Sequence, residues 1–326
     1  MRALSYFTNG GALPTGVAAS AIAALSIVTL ATCWIAAKEN SPAKRIRVVA
    51  NEAERRVDIT IDAQPFTSYI WPERLAKPVL YPLRTAQGTI ITRGFPLEAR
   101  PGERVDHPHQ VGLWFNYGNV SGFDFWNNSE AIKREDAPKM GSIRHRAITL
   151  AKSGAEQGEL DVDADWINGK NQTILKEHTR FIFRGGTNFR SIDRITTLQA
   201  QGEKVVFTDD KEGLLGLRVT RALEAPSDKP EAFTDASGRA IAVARLDNTG
   251  VNGVYLTSDG KKGDAAWGTR GRWCNLSGQV EGQAVTIPSW ITRRIPVSRR
   301  IGTPAATDCS PPIRWAKRFS AATARN

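Results

Sequence analysis

Asp106, His107 and His109 fall within four residues of the stretch VDHPHQVGLWFNYG, in a chain that has only four histidines. Imidazole takes up and releases a proton near neutral pH, and it is also a metal ligand. A carboxylate next to such a ring can set its tautomer and orientation. On extended backbone alternate residues share a face, so His107 and His109 are placed to point together. Pro108 between them argues for an edge or a loop. The expectation is acid–base work by His107 and His109, with Asp106 as a binding or orienting group. The competing reading is a hydrogen-bonded turn. A metal would need a third ligand. His145, His178 and Glu177 are available in the sequence but cannot be placed in space from it, so no metal site is assigned.

Three other stretches could carry chemistry. FDFWNN sets Asp124 and Trp126 among aromatic and amide neighbours, and Trp114 lies shortly before it. Aromatic faces beside a few polar groups suit sugars, whose C–H faces stack while their hydroxyls seek partners. The same residues would also make an ordinary β core. DDKEGLLGLRV places Lys211 and Glu212 at the mouth of an apolar run. A Lys–Glu pair can serve as acid and base if buried, and otherwise it is a solvated turn. WGTRGRWCN sets Arg270 and Arg272 between Trp267 and Trp273. There a guanidinium fork could take a carboxylate or a sugar oxygen, or simply stack on indole. Glu212 is expected to be catalytic, and Lys211, Arg270 and Trp273 to bind substrate.

The elements that must position these groups read as strands. RRVDITID alternates Val57, Ile59 and Ile61 with polar residues, the period of a half-buried strand. TILKEHTRFIF and FRSIDRITTLQA alternate over longer spans. In the first, Glu177 and His178 must fall on opposite faces. KVVFTDD, LLGLRVT and NGVYLTS are short β-rich runs, and RWCNLSGQVEGQAVTI reads as two strands about a turn. Helical spacing is scarce. Residues 41–287 are expected to form one large antiparallel β-sandwich.

Both ends differ from this body. Gly16–Ala37 is a run without a charge, bounded by Arg2 and Lys38, and reads as a signal sequence or one membrane anchor within residues 1–40. Between Pro288 and Asn326 the period is lost, and eight Lys or Arg stand against one acid. Much of the net charge of +11 therefore sits in the tail. A nearly balanced body without a recognition module argues against a nucleic-acid partner. The tail has the composition of a disordered segment. The genetic code offers a sharper reading. Trp290 has one codon, TGG, and every Ile codon begins AT, so the shifted frame must read GAT, aspartate, at that junction. Continued, that frame is free to read LDHP, a second Asp-His-Pro. A frameshift near Ile287 is expected, and sequencing the gene checks it. The cysteines, Cys33, Cys274 and Cys309, imply no disulfide framework.

The block YPLRTAQGTIITRGFPLEARPGERVDHPHQVGLWFNYGNVSGFDFWNN resembles the PmoA family, also labelled methane oxygenase PmoA. DDKEGLLGLRV and KGDAAWGTRGRWCNLSG resemble its later blocks, so the likeness runs from about Tyr81 to Ile287. The resemblance implies a β-sandwich related to the galactose-mutarotase-like sandwiches, without an established activity. Its label points to a multi-span copper subunit of a methane monooxygenase, whereas this chain has one apolar run. The expected function is an exported all-β protein that binds or acts on a carbohydrate or related polyhydroxylated compound. As an enzyme it would be an isomerase, lyase or hydrolase. The alternatives are a non-catalytic sugar-binding or surface protein and, disfavoured, a metal-dependent oxygenase. No nucleotide loop or cofactor signature is visible, so no cofactor is expected. The membrane would be met only through the N-terminal run.

Overall fold

The computed structural model describes residues 45–294, apart from Leu246 and Arg270, and the backbone of Ile313–Thr323. The apolar run Gly16–Ala37, Arg270 and two of the three cysteines, Cys33 and Cys309, lie outside the described residues. Among the described residues no helix is long and apolar enough to cross a membrane.

Sixteen strands are described. In chain order they begin with β1 (Ile46–Asn51), β2 (Arg56–Ile61), β3 (Gln64–Ile70), β4 (Val79–Leu80) and β5 (Leu113–Tyr117). Next come β6 (Ser142–Lys152), β7 (Gly158–Ile167), β8 (Thr173–Gly185), β9 (Phe189–Ala200) and β10 (Gly213–Leu217). The remainder are β11 (Glu231–Thr234), β12 (Ala240–Val243), β13 (Val254–Thr257), β14 (Trp273–Val280), β15 (Gln283–Arg294) and β16 (Ile313–Thr323). One sheet has the order β1-β2-β3-β4-β5-β10, and a larger one has β13-β14-β15-β16-β9-β8-β7-β6. β11 and β12 form a separate ribbon. Strand pairing is antiparallel throughout. The chain is an all-β sandwich, as its alternating patterns require.

The core lies between the two large sheets. Val57, Ile59 and Ile61 of β2 are buried at alternate positions and share one cluster with Leu160, Val162, Phe181, Phe183 and Ile192 of the larger sheet. Phe66 meets Phe183 edge to face at 6.3 Å. Aromatic and β-branched pairs of this kind hold two pleated layers together. In β8 the alternation carries one acid inward. Glu177 is buried and accepts from Trp166 Nε1 at 2.8 Å, from Thr179 Oγ1 at 2.6 Å and from Arg194. His178 faces the other way and contacts Asp163 at 2.8 Å. The two residues fall on opposite faces, as the period demands.

Two expectations about elements change. KVVFTDD contributes only an isolated bridge, Val120 with Phe207. The ring of Phe207 packs instead on Tyr117 and Trp166, at 5.4 Å and 6.2 Å, which draws this segment across a sheet end. Where the sequence loses its period, the structure places the end of β15 and then β16, which pairs with both β15 and β9. A disordered tail is therefore not what Ile313–Thr323 shows. Without a strand in that position, β15 and β9 would each present an open edge.

Candidate functional site

The site is built where long irregular connections cross the end of the smaller sheet. Residues 81–112 link β4 to β5 and carry the Asp106–His109 turn. Residues 71–78 link β3 to β4. This shorter loop is pinned to β6 of the other sheet, because Ile143 N donates to Ala76 O at 2.8 Å and Arg144 Nη1 donates to Leu75 O at 2.9 Å. Leu75 and Val79 anchor it from below with Trp114 and Trp126 in an apolar cluster.

Asp106 braces the turn. Its carboxylate receives Arg93, Arg218 Nη2 at 2.6 Å and His107 Nδ1 at 2.7 Å. Burial works against the charge, but Arg218, Arg93 and the His107 contact together hold the carboxyl well below the usual carboxylate range. Arg93 also donates to the carbonyls of His107 and Gln110, so the turn wraps a guanidinium that is itself 1 % exposed. His107 sits at φ +43°, a left-handed conformation that a non-glycine residue holds only when its surroundings compel it. The two imidazoles meet edge to face at 5.5 Å. They come together through the turn and not by alternation on a strand.

His109 is 8 % exposed. Burial, then the nearby positive charge of Lys77, pushes its ring down to about 3. Such an imidazole is neutral at pH 7.

The group poised near neutrality is one that sequence reasoning missed. Lys77 is 4 % exposed, and its ammonium donates to the carbonyl of His109 at 2.6 Å. It lies over Trp114 at 5.6 Å, and Trp114 packs on Trp126 at 5.2 Å. Burial pushes this amine down to about 7, opposed by the charge of Asp124. Its signal was present in the sequence as a lone cation inside the apolar run LAKPVL.

Lys77 lines two hollows. The smaller one also takes in His109, Arg74 and Asn128. The larger has a volume of about 590 Å³ and is walled by Trp71, Glu73, Arg55 and, from β6, Arg144, His145 and Arg146. Its size falls in the range of small-molecule sites. The His145 ring stacks on Trp71 at 4.0 Å, and its Nδ1 meets Tyr69 Oη at 3.2 Å. Burial drives the imidazole down to about 4, against the pull of Asp163. Burial pushes the Tyr69 phenol up, and Glu177 adds to this while Arg194 opposes it. His145 is thus a strand residue that also walls a cavity.

The other expected residues divide. Trp114 and Trp126, 2 % and 7 % exposed, join the cluster but are core rings rather than open platforms. Both keep buried indole N–H groups without an acceptor among the described residues. Asp124 closes its own turn, accepting from the backbone of Trp126 and Asn127 at 2.8 Å and 2.9 Å and from the Asn127 amide at 2.7 Å. Lys211 and Glu212 do not join. They form their own pair at 3.5 Å beside Gly118, at the far end of the β5–β10 pairing, roughly 13 Å along the strand from Trp114. Strand direction, which spacing cannot supply, separates them from the histidines. Trp273 begins β14 in the other sheet, opposite Trp290, and is 39 % exposed. Among the described residues no three His, Cys, Asp or Glu side chains converge as a metal site would require. His145, His178 and Glu177 each have the other partners described above.

A family profile described as a family of unknown function, DUF6807, matches residues 56–290. The chain belongs to this family. No curated protein matches it. The DUF6807 match takes in both hollows apart from Glu52 and Arg55 at the rim of the larger one, and it ends within β15.

Proposed function

We propose that the chain is an exported protein that binds a carbohydrate or related polyhydroxylated compound in the larger hollow. The observation that carries this reading is the composition of that hollow. An indole, Trp71, stands beside a row of donors, Lys77, Arg144 and Arg146, with Glu73 as an acceptor, around about 590 Å³. Indole supports the C–H face of a sugar, and separated donors and acceptors match its hydroxyls. Arg146 already bonds Asp165 at 2.7 Å and Arg55 bonds Glu73 at 2.6 Å, so the rim is charged but nearly self-compensated. Such a rim favours neutral polyols over strongly anionic ligands.

A thermal-shift panel of neutral sugars, sugar acids and alditols tests this. A ligand of the folded state at a hundred times its Kd stabilises by about 2.7 kcal/mol. The expected result is a rise in melting temperature with a polyol that Trp71→Ala removes. If no member of the panel shifts the wild type, the cavity is not a polyol site.

A further inference from the structure

We infer that Lys77 is a nucleophile that captures a carbonyl compound in this hollow, its amine condensing with the aldehyde of an open-chain sugar to form an imine and release water. The inference rests on the polyol reading for its substrate class, but not for the reactivity of the amine.

Its setting is unlike that of a structural lysine. The lysines that pair with carboxylates, Lys133, Lys139, Lys152 and Lys211, have side chains 63–77 % exposed. Lys77 is 4 % exposed, and the bond it makes is to a neutral backbone carbonyl. Its neighbours give an ammonium little compensation. Trp114 lies beneath it, and the carboxylate of nearby Asp124 is engaged by its own turn. A charge so placed sheds its proton readily, and burial brings the amine to about 7. A desolvated lysine in an apolar setting is an activated amine. Lys77 is among the residues lining both hollows, so the loop that carries it borders the space a carbonyl compound would enter.

The step balances without another reagent. The nitrogen lone pair attacks the carbonyl carbon, and the nitrogen proton passes to the carbonyl oxygen to give a carbinolamine. Loss of the remaining nitrogen proton with the hydroxyl group, as water, leaves the C=N bond. The Trp114 ring beneath the amine adds no charge of its own to this event.

The test uses the full chain with glycolaldehyde and sodium cyanoborohydride, which supplies the hydride that traps an imine as a hydroxyethyl amine. Peptide mass spectrometry then compares lysines. At pH 7 Lys77 should be labelled at least about tenfold faster than the exposed Lys133, Lys139, Lys152 or Lys211. That advantage should shrink as the pH is raised to about 10. Labelling of Lys77 no faster than of the surface lysines at pH 7 overturns the inference. A parallel thermal shift with an alditol, which has no carbonyl, separates the two claims. An alditol shift without Lys77 labelling removes the nucleophile and leaves the polyol site. Labelling without any polyol shift does the reverse.

Discussion

Replacing Lys77 by methionine should make the protein more stable. In the folded chain the amine is brought from 10.5 to about 7 by burial. Each unit of such a shift is worth 1.36 kcal/mol, so holding this lysine in place disfavours folding by about 4–5 kcal/mol at pH 7 and below. Lys77→Met removes that cost, keeps the volume of the stem and gives up one hydrogen bond to His109 O, worth about 1 kcal/mol. The net expectation is a gain of about 1–4 kcal/mol at pH 7. The sign follows from proton binding. Below pH 7 both states carry the proton and the cost is complete. Between about 7 and 10.5 the unfolded chain holds the proton and the folded chain does not, so wild-type stability climbs with pH. The variant lacks that climb, and the two stabilities should converge as pH rises from 7 to 10. Urea denaturation at a series of pH values measures this directly. A variant less stable than wild type at pH 7, or a difference that does not change with pH, would show that the amine is compensated in a way this geometry does not contain. A residue that opposes folding this strongly is one whose retention needs a reason outside stability.

The remaining predictions concern the groups around it. His109 and His145 are held at about 3 and about 4, below the ordinary 6.5, so the unfolded state takes up protons first. Stability should fall as pH drops from 6.5 towards 4, by at most about 1.4 kcal/mol per pH unit for each ring, and His109→Gln should flatten part of that slope in urea titrations. Asp106→Asn removes the charge facing Arg93 and Arg218, and about 3–5 kcal/mol of lost stability is expected. An unchanged melting temperature would mean that the turn does not depend on this brace. A Cβ on Gly216 would overlap the indole of Trp114, so Gly216→Ala should cost about 1–3 kcal/mol in a denaturant titration. A neutral result would place Trp114 outside the core.

The alternation in Arg56–Ile61 and Thr173–Gly185 was enough to establish strands, their inward faces and the β-sandwich, because the two-residue period is a local property of extended backbone. His107 and His109 meet instead through a turn, with His107 left-handed and Gln110 N bonded to His107 O, which the strand period did not supply. For Trp114 and Trp126 the sequence left a sugar-binding face and an ordinary β core open, and their burial fits the second. What local pattern could not carry was long-range placement. Lys77 and Trp71 come from one loop and His145 from a strand of the opposite sheet, and they meet only because Ala76 and Leu75 bond to the start of β6. Glu212, which the sequence set beside the histidines, lies at the other end of the strand pair. The protonation of these groups was out of reach altogether. Burial depends on which chain segments cover a residue, and the same lysine on an open loop would be an ordinary surface charge. The composition determined that this chain could fold as stacked sheets. The crossing of those sheets decided which of its cations would lose water, and so where its chemistry is to be sought.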